Sequence, residues 1–215
     1  MKFCRLKKFL HILDVKRTQF PNNSRLILND EVNTLEKRVV ITGLGVISPV
    51  GNGKDVFWES LLAGRNGIGP ITHFDAAEYT TRIAGEVKEF NVTEFGIDRK
   101  EARHMDPSTQ YAVAATKLAL DDSGMDLDKE ERDRIGTIIG TGIGGMETLH
   151  NLYKGLFEKG PSRVNPFVVP KMIANMASGQ VSITFGFQGH CASVVTACAT
   201  GTNSIGDAFR MIQVN

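Results

Sequence analysis

Cysteine is scarce: the 215 residues hold three, Cys4, Cys191 and Cys198. Three thiols in a chain this long make no disulfide framework, and they point to a reducing cytosol as the compartment. Long apolar runs are missing too. None approaches the roughly 18 residues that a bilayer-spanning helix needs. An excess of one charge is also lacking. Twenty-five Lys and Arg stand against 24 Asp and Glu, a formal net charge of +1, so no global electrostatic pull toward nucleic acid or membrane is expected. What is present is 41% hydrophobic and 23% charged, an ordinary globular composition that excludes a wholly disordered or collagen-like chain. The length suits one domain or two.

Charge is concentrated at the start. Residues 1–25 carry Lys2, Arg5, Lys7, Lys8, Lys16, Arg17 and Arg25 against a single acid, Asp14. Phe3, Leu6, Phe9, Leu10 and Leu13 have roughly helical spacing, which allows a short basic amphipathic helix. His11 and Asp14 interrupt the apolar stretch and no small-residue cleavage site follows, which argues against a secretory signal. A transit peptide fits the acid-poor bias, but a disordered or loosely attached extension over residues 1–36 is the plainer expectation.

Ordered structure is expected from Lys37 onward. The β-branched run Arg38 to Ile47 reads as a strand buried on both faces. Lys54 to Gly64 reads as a helix with Val56, Trp58, Leu61 and Leu62 on its apolar face. A short strand follows at Arg82–Val87. Pro107 opens a stronger helix to about Asp122, with Tyr111, Ala115, Leu118 and Ala119 on one face and Gly124 past its end. Arg134–Gly140 is a further strand, Met146–Phe157 and Val168–Phe185 further helices, Ser193–Ala197 a last strand and Thr200–Gln213 a last helix. This alternation predicts an α/β fold with a mainly parallel sheet covered on both faces.

The most informative stretch is Val194 to Gly206, where a strand hands over to a helix with Cys198 at the joint. Free backbone N–H groups and the positive end of a helix favour the thiolate there. The same groups can receive a carbonyl oxygen as it becomes an oxyanion. Ala197, Ala199 and Gly201 leave room beside the sulfur. Taken alone, Cys198 could equally be a small buried hydrophobe. If 191–198 is one extended strand, Cys191 lies about 23 Å from Cys198, far beyond disulfide reach, and reads as structural.

Gly140-Thr141-Gly142-Ile143-Gly144-Gly145 fits G-x-G-x-x-G between a strand and a helix, with Glu158 where a ribose-binding acid would be sought. It is the best case for a dinucleotide-binding module. The favoured reading is a tight strand-to-helix turn lining a channel. His104 and His150 are candidate bases with no motif around them. No Cys, His and carboxylate spacing suggests a metal site. Arg99, Lys100 and Arg103 form a solvated basic face, or a surface that receives an acidic partner.

Thr196-Ala197-Cys198-Ala199-Thr200-Gly201 strongly resembles the β-ketoacyl-acyl-carrier-protein synthases of fatty-acid synthesis, in particular the elongating type II enzymes of bacteria. The likeness begins at Lys37-Arg38-Val39-Val40-Ile41-Thr42-Gly43-Leu44-Gly45 and Ser48-Pro49-Val50-Gly51. It continues through Arg103 to Pro107, Gly140 to Gly145, Asn165-Pro166-Phe167 and Pro170, and ends at Ile205-Gly206. The resemblance implies a thiolase-like fold, the N-terminal half of a layered α-β-α-β-α body with a mixed, mainly parallel sheet, usually in a homodimer. It implies that Cys198 takes the growing acyl chain from acyl carrier protein as a thioester, without a cofactor. Gly142 and Ile143 match a wall of the acyl pocket. Val168 matches a residue that reaches the partner subunit's pocket, and Arg99, Lys100 and Arg103 match the surface where carrier protein docks.

Three departures qualify these expectations. The family's second half, with two histidines, a lysine and the second oxyanion donor, has no counterpart here. The chain by itself is therefore expected to be incompetent in decarboxylative condensation and to expose apolar surface. Gly189-His190 stands where the family commonly has Gly-Pro. Residues 1–36 have no family counterpart, which suggests upstream readthrough or a misplaced start. Two other function classes stay open: the dinucleotide-binding module, and a non-catalytic fragment that dimerises or docks carrier protein.

Overall fold

The computed structural model describes Cys4–Arg5 and residues 38–214. The extension expected over residues 1–36, with its amphipathic helix, lies outside the described residues save for one strand pair. There β1 (Cys4–Arg5) runs antiparallel to β2 (Val40–Ile41).

The long strand expected at Arg38–Ile47 is divided. Only β2 and the first residue of β3 (Ile47–Ser48) are strand, and Ile41 and Leu44 are exposed rather than buried on both faces. The reason is a close backbone approach. A Cβ on Gly43 would overlap the Ala119 carbonyl, and one on Gly45 the Ala115 carbonyl. Between them, Leu44 N–H donates to Asp122 Oδ2 at 2.9 Å instead of to a neighbouring strand. β3 closes an antiparallel hairpin with β4 (Gly51–Asn52).

Helix α1 spans Lys54–Leu62, and Gly64 beyond it takes the left-handed conformation, as a helix stop does. Its inner face differs from expectation. Val56, Trp58, Leu61 and Leu62 are exposed, and the buried residue is Ser60, whose hydroxyl donates to the Val50 carbonyl at 2.8 Å. β5 (Gly69–Pro70) and β6 (Ile83–Ala84) pair antiparallel, the latter shorter than the expected Arg82–Val87 strand. The short helix α2 (Arg99–Ala102) leads into α3 (Pro107–Ser123), which ends at Gly124 as expected. The buried stripe of α3 runs through Thr109, Val113, Thr116 and Leu120, so of the four expected core residues only Ala119 is buried. Thr116 goes inside because its hydroxyl donates back to the Ala112 carbonyl at 2.7 Å.

β7 (Thr137–Gly140) and β8 (Cys191–Val194) pair in parallel, in register from Thr137 and Cys191 to Gly140 and Val194. Among the described residues this is the parallel element; the other three strand pairs are antiparallel. Helices α4 (Met146–Lys159), α5 (Val168–Met172), α6 (Met176–Phe185) and α7 (Thr200–Val214) complete the body. The single helix expected over Val168–Phe185 is two. Pro170 sits in the first turn of α5, where a missing N–H costs nothing, and the chain breaks afterwards at Ile173, which is extended. Ser182 on α6 donates to Thr137 Oγ1 at 3.0 Å, whereas the Cα of Gly140 abuts Thr200 on α7. Positions 137 and 140 have opposite parity along β7, so α6 and α7 cover opposite faces of the pair. The core gathers Val113 and Leu120 of α3, Val181 of α6 and Ile135, Phe187 and Met105 around them. Along α4, Met146, Tyr153 and Phe157 stay exposed on one stripe.

One buried carboxylate joins the helices. Asp106 is 2% exposed. Its Oδ1 accepts from Ser108 N–H at 3.0 Å and the Ser108 hydroxyl at 2.8 Å, capping α3. Its Oδ2 accepts from Thr148 N–H at 3.0 Å and the Thr148 hydroxyl at 2.7 Å, in the first turn of α4. Asp106→Asn turns one acceptor into a donor facing donors. It is expected to lower the unfolding free energy by about 2–3 kcal/mol, read by urea denaturation; a loss below about 0.5 kcal/mol contradicts this role.

Asp122 offers a second, pH-dependent tie. The Lys54 ammonium, and then Leu44 N–H, hold its carboxyl below the ordinary range. A depressed carboxylate contributes stability above its unfolded value and loses it as pH falls through the folded one. The protection of the Leu44 amide, relative to its intrinsic exchange rate at each pH, is therefore expected to fall in acid below the ordinary carboxylate range, and Asp122→Asn to remove that dependence.

Candidate active site

β8 ends at Val194, three residues before the expected strand end, because the chain turns sharply there. Ala197 has φ +48°, in the left-handed region, which a residue with a Cβ rarely occupies and which costs about 1–3 kcal/mol. Cys198 sits in the middle of the 3-10 turn Ala197–Ala199, and α7 begins two residues later at Thr200. Two bonds hold the turn: Thr196 N–H donates to Thr200 Oγ1 at 2.9 Å, and Ala199 N–H to the Thr196 carbonyl at 3.1 Å. The thiol is free and exposed, with small neighbours Ala197 and Ala199 also exposed. Cys191 is likewise free and exposed, at the first residue of β8.

The glycine-rich turn begins beside this joint. A Cβ on Gly140 would overlap the Thr200 methyl, and Thr141 N–H donates to the Val194 carbonyl at 3.2 Å. Gly142 faces open space and Ile143 is 70% exposed. The end of the turn packs on backbone: Gly144, at φ +88°, and Gly145 abut residues 171–174. Several of the turn's N–H groups are spoken for. Gly144 donates to Thr141 Oγ1 at 3.0 Å, Gly145 to the Met172 carbonyl at 2.9 Å and Met146 to the Gly144 carbonyl at 3.0 Å. A pyrophosphate would need those donors. Glu158 lies exposed near the far end of α4, roughly 18 Å along the helix from Met146. The dinucleotide expectation therefore lacks most of its donors here, and close packing accounts for Gly140, Gly144 and Gly145, though not for Gly142.

The other expected site residues fall elsewhere. Val168, the first residue of α5, lines a cleft of about 300 Å³ together with Arg103, Lys171 and Glu147, and neither Cys198, Gly142 nor Ile143 lines it. Arg99, Lys100 and Arg103 are exposed on α2 and its last turn, and none takes part in an ion pair among the described residues. His104 follows them with its ring against Phe167, centroids 4.6 Å apart. His150 is exposed on α4. At the Gly189-His190 departure the strand entry persists: Gly189 packs against Ile135 backbone and the His190 carbonyl accepts from Thr137 N–H at 2.7 Å.

Sequence reasoning passed over Asp106, Ser178 and Thr200. Asp106 had a signal, an Asp-Pro pair at a helix start. Ser178 had none. Its hydroxyl accepts from Ile139 N–H at 3.1 Å and donates to the Ala192 carbonyl at 2.6 Å, bridging β7 and β8 from α6.

The sequence signature described as "Beta-ketoacyl synthase, N-terminal domain" matches residues 36–215. The chain belongs to the β-ketoacyl synthase family. It is 51% identical over 181 residues to 3-oxoacyl-[acyl-carrier-protein] synthase 2 of Synechocystis sp., covering 84% of this chain and 43% of that protein. It is 53% identical over 177 residues to the protein of the same name from Staphylococcus aureus strain COL, covering 82% and 42%. Among solved structures, the ishigamide ketosynthase/chain length factor superposes with a TM-score of 0.74 at 31% identity, over 80% of this chain and 43% of that one. The fold is thus the thiolase-like α/β fold of the ketosynthases, and this chain spans about two-fifths of the length of those relatives.

For this ketosynthase chain, the contact between Gly140 and Thr200 sets the distance from glycine turn to cysteine turn. Gly140→Ala is expected to destabilise by about 2 kcal/mol through overpacking. Adding Thr200→Ser, which deletes the opposing methyl and keeps the hydroxyl on Thr196 N–H, is expected to recover part of the loss in denaturant titrations.

Proposed function

We propose that Cys198 is the nucleophile of a fatty-acid-elongating ketosynthase and takes an acyl chain from acyl carrier protein. The observation that carries this reading is the exposed thiol in a strained turn at the start of a 15-residue helix. The curated relatives are named for 3-oxoacyl-[acyl-carrier-protein] synthesis, which supports the carrier protein as acyl donor. In the proposed step the Cys198 thiolate adds to the thioester carbonyl, giving a tetrahedral oxyanion. Backbone N–H groups at the turn stabilise that charge. Collapse expels the carrier's thiolate, which takes a proton, and leaves the acyl group on Sγ. In a complete protein, decarboxylation of malonyl-carrier protein supplies the carbanion that attacks this acyl-enzyme, frees the Cys198 thiol and lengthens the chain by two carbons.

The remaining roles follow the same reading. Gly142 and Ile143 form a wall of the acyl pocket, and their exposure in the turn that starts against Thr200 supports it. Val168 serves the pocket of a second subunit in a homodimer; the exposed stripe Met146, Tyr153 and Phe157, on the face of α4 opposite the residues that line the Val168 cleft, supports a separate protein contact. Arg99, Lys100 and Arg103, exposed and free of ion pairs among the described residues, receive the acidic carrier. The scarcity of cysteine supports a cytoplasmic setting.

The test is acylation. The 215-residue chain is treated with a long-chain acyl thioester or an α-haloacyl electrophile and mapped by peptide mass spectrometry. Cys198 is expected to react about tenfold faster than Cys191, which is also exposed, and Cys198→Ala to abolish the adduct. Equal labelling of both thiols overturns the nucleophile assignment and leaves a docking fragment as the better reading. Release of carbon dioxide from malonyl-carrier protein by this chain alone is not expected.

A further inference from the structure

We propose that α5 transmits carrier docking to the glycine turn beside Cys198, with His104 and Phe167 as the contact that couples them. This rests on the docking reading above and adds a mechanical route to it. The basic face ends in two ties to α5. The His104 ring lies on the Phe167 ring with centroids 4.6 Å apart. Lys171 Nζ donates to the Arg103 carbonyl at 3.1 Å, a cation at the last turn of α2.

These ties bracket Val168, which stands between Phe167 and Lys171 and lines the same cleft as Arg103 and Lys171. The far end of α5 is tied in turn to the glycine turn, through Gly145 N–H on the Met172 carbonyl at 2.9 Å. The start of that turn rests on Thr200, two residues from Cys198.

Rigidity on either side makes the route effective. The α2 side cannot move alone, because Gln110 of α3 donates to the Ala102 carbonyl at 3.0 Å and Ala102 and Met105 are buried in the core. α5 has five residues, far too few to be helical in isolation, so its order depends on its tertiary contacts, those at its two ends and its packing on α4 and α6. An acidic partner that engages Arg99, Lys100 and Arg103 therefore shifts or stiffens α5, and α5 carries the change to Gly145.

Hydrogen exchange on the full 215-residue chain tests the route, first without partner. His104→Ala and Phe167→Ala each remove an exposed ring and spare the core; they are expected to speed exchange at Lys171 and Ile173 about fivefold. His104→Phe keeps a ring in place and is expected to restore the slow exchange. The second arm adds acyl carrier protein bearing phosphopantetheine. In the wild type, protection is expected at residues 99–104, 168–173 and 142–145. In the Phe167→Ala, Lys171→Met double variant it is expected to persist at 99–104 and vanish from the other two. Unchanged exchange at Lys171 and Ile173 in His104→Ala overturns the coupling whatever the carrier does. Protection confined to 99–104 in the wild type overturns transmission. No protection at 99–104 overturns the docking reading, and the transmission proposal falls with it.

Discussion

A buried carboxylate between two helix starts governs the geometry of this chain. Asp106 accepts hydrogen bonds from Ser108 at the start of α3 and from Thr148 at the start of α4, using both oxygens twice. Burying a carboxylate costs several kcal/mol unless its lone pairs are met. Here all are met, and two positive helix ends face it. The cap fixes where α4 begins, and hence where the glycine turn must end. Gly145 sits so close that a Cβ there would meet the Asp106 oxygen and the Lys171 carbonyl.

The other end of the turn is fixed by contact rather than by charge. Gly140 is pressed on Thr200, while Thr200 holds Thr196 by its hydroxyl. Cysteine turn and glycine turn therefore share one residue as a reference point. The same economy appears where Gly43 and Gly45 lie on the carbonyls of α3. At Gly43, Gly45, Gly144 and Gly145 glycine allows backbone to meet backbone, and at Gly140 it makes room for the Thr200 methyl. A reacting group carried on such elements keeps its position better than one on a free loop.

Electrostatics separates two regions of the surface. The cations on α2 stay unpaired among the described residues, whereas Lys54, Lys117, Lys129 and Arg132 each bind a carboxylate. Unpaired charge gains most from an incoming partner of opposite sign, chiefly in association rate. The ring and ammonium contacts to α5 start from that face, and α5 is bonded in turn to Gly145, so the basic surface and the glycine turn are separated by one short helix.

Much of the local structure was legible in the chain itself. Pro107 and Gly124 mark the ends of α3, Met146 and Thr200 begin helices where expected, and Cys198 lies at a strand-to-helix joint, because caps, breakers and periodicity act over a few neighbouring residues. Helix faces and strand limits were not legible. Apolar spacing promised a buried Trp58 and Leu62 on α1, but the inward residue is Ser60, chosen by the Val50 carbonyl opposite it. The run Arg38–Ile47 reads as continuous strand until α3 presses on Gly43 and Gly45. Strand β8 stops at Val194 because the turn at Ala197 is imposed by Thr200, and Val168 joins Arg103 in a cleft that no spacing announces. Local order along the chain set where α1, α3, α4 and α7 begin and which residue carries the thiol; only the folded body decided where Val168–Phe185 breaks, which faces turn inward and which site residues meet, since those depend on contacts between parts of the chain far apart in order.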